Sequence, residues 1–200
     1  MSQPYEIVAA PFDVWLAPFG TAFPLINATP AGNWVKLGSS GSKNYDEAGV
    51  KVLHGQKIEQ VHTLGRTGPA KAFRSQEELK ITLTMFDVTL EQYRRALNDV
   101  AITTVAAASG IPGSKAIPLH RGLSVTEYAL LVKGAVSPEG ASWSMQYEVN
   151  RCFIDGNPDV IFKKNAPAGL MLELTALEDF NAAAGSEFGV LRVQSADALP

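Results

Sequence analysis

The chain has 200 residues, of which 46% are hydrophobic and only 18% are charged, and its formal net charge is −3. This hydrophobic content is enough for one sizeable core, so we expect a single domain spanning residues 1–200. The negative net charge disfavours a protein that binds nucleic acid by neutralising its phosphates. The low charge also favours a surface that is partly covered by copies of the same chain.

The first half of the chain alternates short predicted strands with long polar connections. The predicted strands are at 13–18, 34–38, 50–54, 57–64 and 78–86. The predicted loops are rich in Gly, Pro and Ser and lie at 19–33, 39–49 and 65–76. Loops this long are uncommon in compact domains and are usually either functional or disordered. We therefore expect these long loops to contact a partner; mobile surface loops are the alternative.

The segment from Phe73 to Asn98 carries the clearest pattern in the chain. An alternating run places an apolar set on one face and a polar set on the other, namely Leu79, Ile81, Leu83 and Met85 against Glu78, Lys80, Thr82 and Thr84. That is the period of a strand with one buried face. The polar face must therefore meet water, a ligand or a partner.

A short helix is predicted directly after this strand. Thr89 and Gln92 form a capping box, Val88 and Tyr93 are placed for a hydrophobic staple, and Asn98 suits the helix end. A strand that leads into one short helix, in a chain otherwise rich in strands and turns, predicts a mainly β fold. We expect an antiparallel β-sandwich or barrel with one flanking α-helix.

The second half of the chain predicts a β-meander. Its strands are expected at 123–133, 143–154, 160–163 and 170–177, with weaker candidates at 100–107 and 190–193. Residues 129–132 are apolar on both faces, so their strand should be central, and residues 137–140 fit a type I turn. In the strand at 143–154, one face is apolar and the other polar: Trp143, Met145, Tyr147, Val149 and Phe153 against Ser144, Gln146, Glu148 and Asn150.

The predicted core draws on all of these elements. The side chains expected to be largely buried are Trp15, Trp34, Leu79, Ile81, Leu83, Phe86, Leu90, Tyr93, Leu97, Leu130, Val132, Trp143, Tyr147, Val149 and Phe153.

No catalytic or ligand-binding constellation is recognisable in the sequence. The histidines His54, His62 and His120 lack metal-ligand spacing, and the glycine-rich stretches lack the spacing of a phosphate-binding loop. Cys152 is the single cysteine, so no internal disulfide is possible, which fits a reducing compartment. No stretch approaches the roughly 20 apolar residues of a membrane helix. We expect no enzyme activity, no metal, no cofactor and no membrane partner.

Four segments resemble, in order and spacing, the tail tube proteins (major tail proteins) of long-tailed bacteriophages. They are APFDVWLAPFGTAFP at 10–24, GNWVKLG at 32–38, NYDEAGVKV at 44–52 and FRSQEELKITLTMFDVTLEQYRRALN at 73–98. The likeness covers approximately the first half of the chain. Beyond it, the match is mainly in strand order and length.

This resemblance implies an assembly as well as a fold. It implies a β-sandwich with one flanking helix, shared with the tube protein of type VI secretion. It also implies hexameric rings that stack into a hollow tube through which the phage DNA is ejected. The implied partners are a tape measure protein, a terminator, a tip or baseplate, and duplex DNA that passes without specific binding. The implied location is the tail of the virion, after assembly in the host cytoplasm.

The resemblance also suggests roles for particular residues. Because duplex DNA carries one negative charge per about 1.7 Å of its axis, a neutral to acidic wall lets it slide without sticking. The lumen candidates are the polar sides of the two patterned strands: Glu78, Lys80, Thr82, Thr84, Gln146, Glu148 and Asn150, with Glu78 and Lys80 near a rim. Exposure to bulk solvent is the alternative. The resemblance further implies that the loops at 39–49 and 65–76, with an N-terminal arm at about 1–11, contact neighbouring subunits. The candidates for contacts between subunits are Lys43, Tyr45, Asp46, Glu47, Arg66, Lys71 and Arg74.

Other functions remain open at this point. The chain could be another ring-forming tail component, such as a tail terminator or a baseplate ring. It could also be a monomeric β-barrel that carries a small ligand, which explains the strands and the low charge but leaves the long polar loops without a role.

Overall fold

The protein is mainly β, with antiparallel strands and one short α-helix, as the sequence predicts. The computed structural model describes residues 7–140 and 142–199. The strands are β1 (Phe12–Pro18), β2 (Val35–Lys36), β3 (Lys51–His62), β4 (Pro69–Met85), β5 (Thr103–Val105), β6 (Ser114–Ala116), β7 (Glu127–Gly134), β8 (Met145–Asp155), β9 (Leu170–Ala176) and β10 (Gly189–Val193). The helix α1 spans Leu90–Ala96, and a 3-10 turn spans Gly41–Asn44.

Strand β8 belongs to both layers of the sandwich. On one edge it pairs with β7, which continues through β1 to β2. On its other edge, residues 145–149 pair with β10 and residues 152–155 pair with β9, which continues through β4 to β3. The inward side chains of the two layers form one apolar cluster, in which Leu16 and Leu130 meet Leu83 and Leu172. The core therefore lies between β1–β7 and β4–β9.

A β-bulge in β8 marks the change of partner. Tyr128 pairs with Cys152 and Leu130 pairs with Val149, so β8 has one more residue than β7 in this interval. An extra residue reverses the face on which later side chains lie. Val149 and Cys152 are therefore both buried in the core, whereas Phe153 is only half-buried. The unbroken alternation expected for residues 143–154 is wrong beyond Val149.

The alternation predicted for β4 is confirmed. Leu79, Ile81, Leu83 and Met85 are all less than a tenth exposed, and the intervening side chains are half-buried. The central position predicted for residues 129–132 is also confirmed, because β7 lies between β1 and β8. Its outer face is covered by a second apolar cluster under the loop at 19–34.

The predicted core is partly correct. The expected residues that are buried are Trp34, Leu79, Ile81, Leu83, Leu97, Leu130, Val132 and Val149. Those that are only half-buried are Trp15, Leu90, Tyr93, Trp143, Tyr147 and Phe153. Phe86 is 38% exposed, so its predicted burial is wrong. It follows the buried Met85, and the strand period turns it outward.

The helix begins and ends where the sequence signals predict. The hydroxyl of Thr89 accepts a hydrogen bond from the backbone N–H of Gln92, which is the expected N-cap. Val88 and Tyr93 both pack against the core cluster. Asn98 has a φ of 61°, a left-handed conformation that terminates the helix.

Several predicted boundaries require correction. The strands expected at 50–54 and 57–64 are one continuous strand, β3. Most of the loop expected at 65–76 is strand, because β4 begins at Pro69. The strand expected at 160–163 is reduced to bridges, one of which joins Val160 to Leu170. Of the predicted N-terminal arm, residues 1–6 lie outside the described residues.

The segment at 39–49 is built into the protomer through Tyr45. This side chain is 7% exposed, its hydroxyl donates to the carbonyl of Leu37 at 2.8 Å, and it accepts from the N–H of Val14 at 3.2 Å. Tyr45 was expected to contact another subunit, and that expectation is wrong, because the side chain closes the core of its own chain.

Replacing Tyr45 with Phe should destabilise the protomer by about 1–3 kcal/mol, because it leaves a buried N–H and a buried carbonyl without their partner. Chemical denaturation measures the change. The matched control is Tyr93→Phe, which removes a hydroxyl that makes no hydrogen bond within the described chain. Equal stability of the two variants would contradict the role given to Tyr45.

Candidate assembly surfaces

The outer parts of β3 and β4 form a projecting hairpin, residues 55–77, which we call the arm. Nearly every residue in it is exposed, on both faces of the hairpin. The cross-strand pairing of β3 with β4 continues to His62 and Pro69, with bulges on the way, and β9 pairs only with residues 80–85 of β4. At about 3.3 Å per residue, the arm extends about 25 Å from the sandwich.

The arm is apolar as well as basic. The exposed apolar side chains along it are Ile58 at 51%, Val61 at 43%, Leu64 at 106% and Phe73 at 49%. Four basic and two acidic residues give the segment a charge of +2, although the whole chain is at −3. Large exposed apolar side chains on a two-stranded ribbon are typical of a surface that a partner covers.

A second exposed segment follows the helix, at residues 101–125. It contains the small β5–β6 hairpin and has no acidic residue. Two links tie it to the helix region: an ion pair between Lys115 and Glu91 at 2.5 Å, and the side chain of Asn98, which donates to the carbonyls of Arg121 and Ser124. The sequence predicted one weak strand here and missed the hairpin.

The outer side of the β3–β4–β9 layer is a polar sheet face. In register, Thr82 lies between Lys51 of β3 and Glu173 of β9, and Lys80 lies beside Thr175. The four lumen candidates of β4, which are Glu78, Lys80, Thr82 and Thr84, are all half-buried on this face. We call it the polar face.

The charges around Lys80 on the polar face are paired with each other, whereas the exposed Lys51 of β3 forms no ion pair within the described chain. The ammonium of Lys80 lies 3.2 Å from the carboxylate of Glu78, 3.1 Å from Glu173 and 4.0 Å from Asp155. Hydrogen bonds with Glu173 and Glu78 raise the pKa of Lys80 above its ordinary value. Three carboxylates around one ammonium leave this part of the face acidic.

The lumen candidates of β8 lie elsewhere. Gln146 and Glu148 are 0% and 4% exposed, so the expectation that they face open solvent or a lumen is wrong. The loop at 19–34 contacts Gln146, which donates to the carbonyl of Pro24 at 3.2 Å and to Glu148 at 2.6 Å. Arg192 of β10 binds Glu148 at 2.8 Å.

Lys133 holds the covering loop in place. Its ammonium donates to the carbonyls of Ile26 and Ala28, at 2.8 and 2.5 Å. Burial lowers the pKa of Lys133, and the nearby carboxylate of Glu148 acts in the opposite direction. Asn150, the third candidate of β8, is half-buried and donates to the carbonyl of Ser186 at 2.8 Å.

The other predicted contact residues are accessible. Lys43 and Glu47 are exposed and Asp46 is half-buried, all near the 3-10 turn. Arg66, Lys71 and Arg74 are exposed on the arm. Sequence reasoning missed the apolar residues of the arm, although Ile58, Val61 and Phe73 are β-branched or aromatic, which was the available signal.

Within residues 7–140 and 142–199, no three His, Cys, Asp or Glu side chains are grouped so that they could hold a metal ion. No helix in the same ranges has the length and hydropathy needed to cross a membrane.

Comparisons with known proteins show only a similarity in fold. No protein-family model matches the chain, and no curated protein matches it. Among solved structures, a chain in the six-fold symmetrised cryo-EM structure of the anti-feeding prophage baseplate is similar over 97% of this chain and 94% of that chain. The sequence identity is 12% and the TM-score is 0.47, values too low for this likeness to bear on function.

Proposed function

We propose that this chain is a structural protein of a phage tail, whose copies form hexameric rings that stack into a tube for DNA. The observation that carries the proposal is the arm, which is exposed on both faces in the isolated protomer. The resemblance of four ordered segments to tail tube proteins adds to it. The proposed role is non-catalytic.

The arm needs a partner for physical reasons. A two-stranded hairpin is at best marginally stable in water unless a further strand or a packed face supports it. Here, apolar side chains such as Ile58 and Phe73 are about half exposed. Burying them against another copy removes apolar area from water at about 25 cal/mol per Å². Assembly therefore stabilises a segment that the protomer alone leaves uncovered.

The free edge of β3 offers a way to join copies. Within the described chain, β3 ends its sheet and pairs only with β4. A strand of this length, Lys51–His62, exposes a row of backbone N–H and C=O groups that can pair with another chain. If this edge of β3 binds a different surface of the next copy, the contact is head-to-tail. Repeating such a contact forms a closed ring when the rotation between neighbouring copies adds up to a full turn.

The polar face is the proposed wall of the lumen. Its threonines, Thr82 and Thr84, are neutral, and its ammonium at Lys80 is surrounded by carboxylates. With the exposed Lys51, which is in register with Thr82, the face carries two ammonium groups against three carboxylates. It therefore has no excess of positive charge that would hold DNA by releasing counterions. In a ring, the face is repeated in every subunit. The lumen residues that we retain are therefore Glu78, Lys80, Thr82 and Thr84.

The proposed function implies that the other proteins of a phage tail are partners of this chain. A tube of set length implies a tape measure protein within it, a terminator at one end and a tip or baseplate at the other. The location is then the virion, and the passing ligand is duplex DNA without specific binding.

Negative-stain electron microscopy of the purified protein tests the assembly directly. We expect long hollow tubes with six-fold symmetry in cross-section. Single closed rings that do not stack would instead indicate a terminator or baseplate ring. A strictly monomeric protein at high concentration would overturn the proposal.

Thiol labelling tests the lumen. Thr82→Cys should be protected from a bulky maleimide in assembled tubes and modified in dissociated subunits. Cys152 will not interfere, because it is 0% exposed and burial raises the pKa of its thiol. The control is Glu139→Cys, at the exposed position of the turn at 137–140, and we expect it to be labelled in both states. Ready labelling of Thr82→Cys in intact tubes, by a reagent too large to enter, would place the polar face outside.

A further inference from the structure

A cleft of about 670 Å³ opens at the root of the arm. His54 of β3 and Glu77 of β4 line one side, Tyr147 and Val149 of β8 lie opposite, and residues 178–191 complete the wall. The cleft lies beyond the end of β9, where β4 no longer has a partner on that edge. Its volume lies within the range of about 300–1,000 Å³ that is usual for binding pockets.

The cleft combines an apolar floor with acidic walls. Leu79 and Val149, which are core residues, reach it from below, and Phe188 packs beside them. Five glutamates line it, and no lysine or arginine does so among the described residues: Glu77, Glu78, Glu148, Glu178 and Glu187. Such a cleft fits an apolar side chain that is accompanied by a cation.

Two of these carboxylates have no cation of their own. Glu77 is paired with Arg74, Glu78 with Lys80 and the buried Glu148 with Arg192. Glu178 and Glu187 form no ion pair within the described part of the chain. Hydrogen bonds from its own N–H and that of Gly185 lower the pKa of Glu187.

The tip of the arm carries an apolar side chain and a cation, which complement the apolar floor and the acidic walls of the cleft. Residues 63–66 form a turn in which the N–H of Arg66 donates to the carbonyl of Thr63, and Gly65 has the positive φ that a type II turn requires. This turn presents Leu64, which is fully exposed, next to the cation of Arg66. A Cβ added at the tip glycines Gly65 or Gly68 would meet no atom of the described chain within 4 Å beyond the adjacent residues, so the tip is open on these sides.

We infer that the arm tip of one copy seats in the cleft of the next copy, with Leu64 on the apolar floor and Arg66 beside Glu178 and Glu187. The inference rests on the proposed function, and it identifies the site on the neighbouring copy to which the arm binds. The tip and the cleft of one chain are about 25 Å apart along a paired hairpin, so the same arm cannot fold back into its own cleft. The contact is therefore head-to-tail, and every copy offers one tip and one cleft.

A charge reversal tests this pairing. The tip variant is Arg66→Glu, and the cleft variant combines Glu178→Arg with Glu187→Arg. We expect each variant alone to raise the critical concentration for assembly about ten-fold or more, because like charges then meet at the contact. Sedimentation and light scattering measure that concentration. Mixing the two variants in equal amounts should restore assembly, since each acidic tip then meets a basic cleft.

Two further variants make the test specific. Leu64→Ser should also weaken assembly, and the cleft variant should not rescue it, because no charge has changed. Lys115→Glu with Arg121→Glu reverses the basic residues of segment 101–125, and we expect normal assembly from it. If this variant loses assembly and the cleft variant rescues it, the occupant is segment 101–125 and the inference is wrong. Thermal unfolding of each variant verifies that the fold is intact.

The outcomes separate the inference from the proposed function. If the wild-type protein forms tubes and both charge variants form them at the same concentration, the tip does not use this cleft, but the tube function stands. If the wild-type protein forms no assembly, both the function and the contact are rejected. Rescue of the tip variant by the cleft variant supports both.

Discussion

Shortening the arm will leave a folded protomer that no longer assembles. The variant replaces residues 58–75 with Asn-Gly, which favours a two-residue turn between Lys57 and Gln76, a cross-strand pair in the native register. None of the removed residues belongs to the core cluster, and their side-chain bonds to the rest of the chain reach only Gln56, Lys57 and Glu77 at the root of the arm, so the core between the two layers is unaffected. The free energy of unfolding should change little, whereas tubes should be absent.

The measurement combines chemical denaturation with sedimentation and electron microscopy. A matched control shortens the other exposed hairpin, by replacing residues 106–113 with Asn-Gly between the paired Val105 and Ser114. We expect this control to fold and to assemble normally. Tubes of ordinary appearance from the arm-shortened variant would show that the arm is dispensable, and the proposed function would lose its main support.

Replacing Leu83 with Ala should lower the free energy of unfolding by about 2–5 kcal/mol. Leu83 is 1% exposed and sits opposite Leu172, in the strand that joins β3 to β9. The substitution removes buried methyl groups and leaves a cavity, because both layers hold the surrounding side chains in place. Urea denaturation in the arm-shortened background measures the change without interference from assembly.

The neighbouring position provides the control for this prediction. Thr82 lies on the opposite face of the same strand and is half-buried, so Thr82→Ala should change the free energy of unfolding by less than about 1 kcal/mol. If both substitutions lowered the free energy of unfolding by a similar amount, the two faces of β4 would not differ in burial, contrary to the structure. A loss below about 1 kcal/mol for Leu83→Ala would mean that its site collapses around the smaller side chain.

The sequence predicts an element well where its signal is local. The alternation from Leu79 to Met85 and the cap at Thr89 are both local, because strand period and N-cap hydrogen bonds involve residues only a few positions apart. Both are confirmed. The overall fold class follows from the same patterns, since several alternating strands and one helix can bury their apolar faces in few ways.

Long-range contacts account for most of the errors. Gln146 and Glu148 lie on a polar strand face, and nothing near them in sequence indicates that the loop at 19–34 bonds Gln146 or that Arg192 binds Glu148. The bulge beyond Val149 depends on the register with β7, which a single strand does not reveal. Likewise, the burial of Tyr45 depends on carbonyl and amide groups of two distant segments.

The arm was missed for a different reason. Residues 65–76 contain Gly, Pro and several polar side chains, which favour a loop. Burial on one face is what gives a strand its alternating pattern, and this part of β4 is buried on neither face. A ribbon that is exposed on both faces therefore gives no alternation to detect. The absence of a pattern here therefore reflects exposure on both faces rather than the absence of a strand.

The shared strand has a mechanical consequence. Because the backbone of β8 runs without interruption from one layer into the other, the layers are coupled by peptide bonds as well as by side-chain packing. Sliding one layer across the other would strain the covalent chain at the bulge. Each protomer will therefore transmit a pull or a twist as a stiff block, and in the proposed stack of rings bending will be concentrated at the junctions between blocks.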